Sequence, residues 1–199
     1  MKEVNLQGGY MKKLPLVLFF MSLFAFKAGA QDKKPWVYFD LGDTVVNTKD
    51  MKHLKYMKGA REYMDELKRE GIKIGIISNI PENWGLDYDE KLQSLKKVIQ
   101  DGWDEDRPFD WTVFEEVILP LKNTEMKPAP TLFLKAISKT ESCPSVYIGE
   151  SPKEIAAARE VGMAAKLYNE SDEEIYIPVT QVKAFIADNY HRDYDKSCL

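Results

Sequence analysis

The stretch Val37-Tyr38-Phe39-Asp40-Leu41-Gly42-Asp43-Thr44 decides how this chain is read. Apolar residues run from Trp36 to Phe39 and then break into an acidic, glycine-containing turn, the pattern of a buried strand that delivers Asp40 at its carboxyl end. A second run, Ile72 to Ile77, is bounded by Gly71 and by Ser78-Asn79 and reads the same way. Between the two, Ala60, Tyr63, Met64 and Leu67 fall at helical spacing among charged residues, which predicts an amphipathic helix ended by Gly71.

The alternation continues downstream. Strands are expected at Val117 to Leu119, Ser145 to Ile148 and Ala164 to Tyr168, with helices at Thr131 to Ser138, Pro152 to Val161 and Val182 to Tyr190. Strand-helix alternation of this kind argues for an α/β, Rossmann-like open parallel sheet with helices on both faces and ligands at the carboxyl ends of the strands. The stretch Ile80 to Trp111 is the least regular, with one helix expected at Lys91 to Ile99, and reads as an elaboration over one edge.

With 199 residues, 44% of them hydrophobic, the chain suits one domain. Residues 1–30 read as a signal peptide: Lys12 and Lys13, an apolar run from Leu14 to Phe26, then Ala28-Gly29-Ala30. Because the charged start sits at Met11, residues 1–10 read as an upstream extension, and 31–199 as the single domain. The expected location is therefore outside the cytoplasm, periplasmic or secreted. No segment reaches the length a membrane span needs, so none is expected. Without residues 1–30, Lys plus Arg falls from 28 to 24 and Asp plus Glu from 32 to 31, about seven net negative charges. Such a balance disfavours nucleic-acid partners, which need clustered cations. Cys143 and Cys198 could pair in an oxidising compartment or stay as separate thiols, and spacing does not choose. His53 and His191 are too far apart to suggest a metal site or a triad.

Four segments place polar groups where such a sheet would present a site: the opening stretch, Ile76-Ile77-Ser78-Asn79, Met126-Lys127-Pro128, and Val146-Tyr147-Ile148-Gly149-Glu150 followed by Glu154. In that order they resemble the four motifs of the haloacid dehalogenase-like (HAD) hydrolase superfamily, from about Trp36 to Met163, with supporting text such as Lys58-Gly59-Ala60. The resemblance implies that Asp40 is the nucleophile and that Ser78 and Asn79 bind the transferring group. It implies that Lys127 neutralises charge on nucleophile and substrate. It further implies Mg²⁺ held by Asp40, the Gly42 carbonyl and Glu150, with Glu154 supporting from behind.

The match departs from the family at Gly42. Phosphatases of the superfamily usually carry there a second Asp that protonates the leaving oxygen. Asp43, one position on, and Asp50 are candidate substitutes. The reading is thus an exported, Mg²⁺-dependent hydrolase of phosphate esters or anhydrides acting through an aspartyl-phosphate, with a catalytically impaired binding protein or a dehalogenase as alternatives. Only 33 residues, Val45 to Ile77, separate the first two motifs, too few for a helical cap. An open site with room for a bulky phosphorylated substrate is expected, partly covered by Trp84, Tyr88 or Trp103.

Overall fold

The computed structural model describes Met1 and residues 33–172 and 175–199. The signal-peptide reading, Met1 apart, lies outside them. In chain order the elements are strands β1 (Trp36–Phe39), β2 (Val46–Asn47) and β3 (Lys55–Tyr56), helix α1 (Ala60–Arg69), β4 (Lys73–Ile77), α2 (Tyr88–Gly102) and β5 (Glu116–Ile118). There follow α3 (Thr131–Lys139), β6 (Ser145–Gly149), α4 (Pro152–Glu160), β7 (Ala164–Leu167) and α5 (Val179–Asn189).

Five strands form one parallel sheet in the order β5-β4-β1-β6-β7, as the alternation predicts. Its central strands are apolar throughout because both faces are covered. Successive side chains of β1 show this: Phe39 meets Tyr63 of α1 edge-on, whereas the Tyr38 hydroxyl donates to the Ala136 carbonyl of α3. α1 ends where expected, Gly71 taking the left-handed conformation at φ 68° that a side chain would resist.

Connections leave β1 toward β4 and return past it to β6, so the direction of winding reverses between β1 and β6. Open α/β sheets bind ligands at such a point. Asp40 follows β1 and Glu150 follows β6.

Two expectations need correction. Ile80 to Trp111 is no edge elaboration. Its helix is longer than Lys91 to Ile99, spanning Tyr88–Gly102, and it is part of the crossover that parallel pairing of β4 with β5 requires. The segment before α1 also holds the small antiparallel pair β2–β3. Its loop is zipped to the end of α2: Leu54 donates its amide to the Gly102 carbonyl at 2.7 Å, and Asp104 donates to the Leu54 carbonyl at 2.8 Å. A Cβ on Gly102 would lie 2.3 Å from the Met51 carbonyl oxygen, so only glycine permits this approach.

Cys143 and Cys198 form a disulfide, closing the alternative left open by spacing. It ties the C-terminal turn to the loop before β6 across a separation of 55 residues. Chain entropy alone assigns such a crosslink about 4 kcal/mol. Replacing both cysteines by serine should lower the melting temperature by about 8–16 °C; unchanged melting would refute this. Among the described residues no helix is long and apolar enough to cross a membrane.

Candidate active site

Asp40 leaves the sheet just after β1, its amide still bonded to the Ile148 carbonyl at 2.8 Å and one carboxylate oxygen accepting from the Leu41 amide at 2.7 Å. Lys127 comes up beneath it. The ammonium, with its side chain 0% exposed, lies 2.8 Å from Asp40 Oδ1, 2.8 Å from Glu154 Oε2 and 2.7 Å from the Tyr147 hydroxyl. Tyr147 in turn donates to Glu154 at 2.6 Å. A lysine has three N–H donors, and all three are engaged here. A direct bond from Lys127 to a substrate therefore requires one partner to let go; its charge acts first through Asp40.

The backbone of Lys127 is fixed as firmly as its side chain. Asn79 accepts from the Lys127 amide at 2.7 Å and donates to the Lys127 carbonyl at 2.9 Å. Its side-chain amide thus brackets Lys127, a task beside the substrate contact expected at this position. Ser78 is buried beside it, its amide held by the Ile118 carbonyl. Tyr147 joins the site without belonging to the expected set; its signal in the sequence is a hydroxyl within the apolar run Val146-Tyr147-Ile148, which marks a buried polar task. Gly149 makes room for it: a Cβ there would stand 2.8 Å from the Tyr147 oxygen.

Glu150 is exposed, with the buried Thr44 hydroxyl donating to it at 3.2 Å. Asp43 adopts φ 49° and accepts from the Thr48 amide at 2.8 Å, so one of its oxygens fastens the turn leading into the β2–β3 loop. Asp50 is exposed and accepts from the Lys52 amide. Asp40, Gly42, Asp43, Ser78, Asn79, Glu150 and Glu154 line one cavity of about 350 Å³. Trp84 lines it too. Tyr88 and Trp103 do not: the Tyr88 hydroxyl donates to the Val117 carbonyl at the sheet edge, and Trp103 packs edge-on against Tyr56 and Phe109.

Burial raises the Asp40 carboxyl to a pKa of about 6; the Lys127 charge pulls it down and the Glu150 charge pushes it up. Burial, with the charges of Asp40 and Glu154, lifts the Tyr147 phenol well above its ordinary range, so it serves as a neutral hydroxyl.

No protein-family model matches the chain, and no curated protein does. Solved structures do. A HAD-superfamily hydrolase from Ehrlichia chaffeensis superposes with a TM-score of 0.50 at 17% identity, over 78% of this chain and 98% of the other. An uncharacterized protein from Listeria monocytogenes serotype 4b gives 0.51 at 19% identity, over 72% and 82%. The chain has a HAD-like fold. A hydrolase from Streptococcus pneumoniae TIGR4 superposes at 0.50 with 14% identity, over 69% of this chain and 94% of that one.

Within this HAD-like fold, Asp40 and Glu150 offer two neighbouring carboxylates and Gly42 a backbone carbonyl. Among the described residues no three His, Cys, Asp or Glu side chains gather into a metal-binding cluster. Two carboxylates and a carbonyl nevertheless suit a hard cation that keeps several waters. The upward push of Glu150 on Asp40 marks an excess of negative charge that such a cation would relieve.

The buried Lys127 also predicts a stability effect. Lys127→Met would leave Asp40 and Glu154 without their cation, and breaking a buried pair in this way costs about 3–5 kcal/mol. Urea unfolding at neutral pH should register that loss. An unchanged midpoint would contradict it.

Proposed function

We propose that the protein is an exported, Mg²⁺-dependent hydrolase of phosphate esters or anhydrides that uses Asp40 as its nucleophile. The observation that carries this reading is the convergence on Asp40, at the reversal of winding, of a buried lysine and a second carboxylate from separate segments of the chain. The Cys143–Cys198 disulfide supports export, since such crosslinks persist in oxidising compartments.

In this mechanism an Asp40 carboxylate oxygen attacks phosphorus and the bond from phosphorus to the leaving oxygen breaks, giving an aspartyl-phosphate that water then hydrolyses. Ser78 steadies the phosphoryl oxygens. Lys127 holds the nucleophile ionised and aimed, while Glu154, Tyr147 and Asn79 hold Lys127. Asp40, the Gly42 carbonyl and Glu150 would hold Mg²⁺, which supplies charge neutralisation for the phosphoryl group when bound. With glycine at position 42 no side chain there protonates the leaving oxygen, so activated substrates react best.

The test is a panel of phosphate esters and acyl phosphates with the purified protein. Release of phosphate should require Mg²⁺, vanish on chelation and return on readdition. Turnover that ignores chelation would overturn the metal assignment. A second reading, motivated by Gly42, is a binding protein without turnover. It predicts that Mg²⁺ or a phosphate analogue raises the melting temperature while no substrate reacts.

A further inference from the structure

The cavity over Asp40 has two unlike walls. One is acidic and belongs to the strand ends: Asp40, Asp43, Glu150 and Glu154. The other is apolar: Met51, Ile80, Trp84, Leu95, Val98 and Ile99, most of it from α2 and the turn before it. No lysine or arginine among the described residues lines the cavity. Lys127 stands behind Asp40 with its donors engaged.

The apolar wall is built in advance. Lys91, fully buried, donates through its ammonium to the carbonyls of Pro81 at 2.9 Å and Glu82 at 3.0 Å. Ser94 donates to the Trp84 carbonyl at 2.6 Å. Two turns of α2 thus grip the segment carrying Trp84, and Met51 is fixed from the other side by the zipper between the β2–β3 loop and Gly102. A leaving group entering this space meets aromatic and aliphatic surface on one side and carboxylates on the other. A second phosphate or a carboxylate would be repelled.

Gly42 points independently in the same direction. With no acid at position 42 and Asp43 fastened to the Thr48 amide, a leaving group departs as an anion. A phenol, with a pKa of about 10, does so far more readily than an alcohol whose acidity resembles that of water, about 16. From the two observations we infer that the cavity selects monophosphate esters of apolar aromatic alcohols, the phosphate over Asp40 and the ring against Trp84 and the Leu95–Val98 face of α2. The inference rests on the hydrolase reading above. In the step itself the Asp40 oxygen bonds to phosphorus, the aryloxide leaves with the bonding electron pair, and solvent protonates it.

The test compares naphthyl phosphate, acetyl phosphate and a sugar bisphosphate, with phenylphosphonate and inorganic phosphate as non-reacting probes measured by calorimetry. Naphthyl phosphate should exceed the bisphosphate in kcat/KM by at least about a hundredfold. Trp84→Ala should raise KM for naphthyl phosphate about tenfold and that for acetyl phosphate, which has no ring, far less. Val98→Arg, a change at a half-buried position, guards against a misfolded Trp84 variant; it should narrow the gap between naphthyl phosphate and the bisphosphate. Equal or better turnover of the bisphosphate by the wild type would overturn the inference and leave the hydrolase reading intact. If no substrate reacts, the hydrolase reading fails, and binding decides the rest. Phenylphosphonate binding no tighter than inorganic phosphate would then overturn the aromatic preference as well.

Discussion

Asp40→Asn should leave no phosphate release above background and yet melt higher than the wild type in chelator at neutral pH. The loss follows from removing the attacking oxygen, since an amide cannot form the acyl-phosphate. The gain follows from burial, which raises the folded-state pKa of Asp40 to about 6 from an ordinary 3.8. Between those values the folded protein holds a proton that the unfolded chain releases, so the metal-free wild type loses stability as pH rises through that window. Above it the penalty is complete, on the order of 3 kcal/mol, and asparagine escapes it. Melting curves from pH 4 to 8 in chelator should therefore converge at the acid end and separate toward neutrality. Parallel curves would show that the carboxylate carries no such strain. Retained turnover would end the case for Asp40 as nucleophile.

Gly42→Asp is expected to speed hydrolysis of alkyl phosphates by about a hundredfold to ten-thousandfold, the usual worth of a well-placed general acid. The site admits the change. A Cβ at Gly42 would meet Thr48 Oγ1 at 3.5 Å and Thr48 Cγ2 at 3.6 Å, ordinary contact distances, and the backbone there is not in the left-handed region. Aryl and acyl phosphates, whose leaving groups need no proton, should gain little, and Gly42→Asn should gain nothing on either class. Steady-state rates on paired alkyl and aryl substrates read the effect. A uniform gain would point to binding rather than proton transfer, and no gain would show that the absent carboxylate is not what limits turnover.

Much of the architecture was legible because the parallel strands are buried on both faces and therefore spell continuous apolar runs, as at Trp36–Phe39 and Ser145–Gly149. The pair β2–β3 is not legible there because strands of two residues carry no periodicity. The start of α2 lies ahead of the expected Lys91, where Asp87 and Glu90 spell it out: Asp87 accepts from the Glu90 amide, and the Glu90 carboxylate reaches back to the Leu86 amide. In the site, motif spacing pointed to Asp40, Lys127 and Glu154, which meet in space. Spacing could not give the bracket of Asn79 on Lys127 or the place of Tyr147 between Lys127 and Glu154, since both depend on contacts between segments remote in the chain.

The zipper between the β2–β3 loop and the end of α2 bears on how this molecule could change over time. It couples the segment carrying Met51 to the helix carrying Leu95, Val98 and Ile99, while Asp40 and Glu150 are carried by the ends of β1 and β6. Under the proposed hydrolase reading, reaction and choice of substrate are therefore written in separate stretches of the chain. Mutational drift along one side of α2 can retune what is accepted while the phosphate-handling backbone stays as it is.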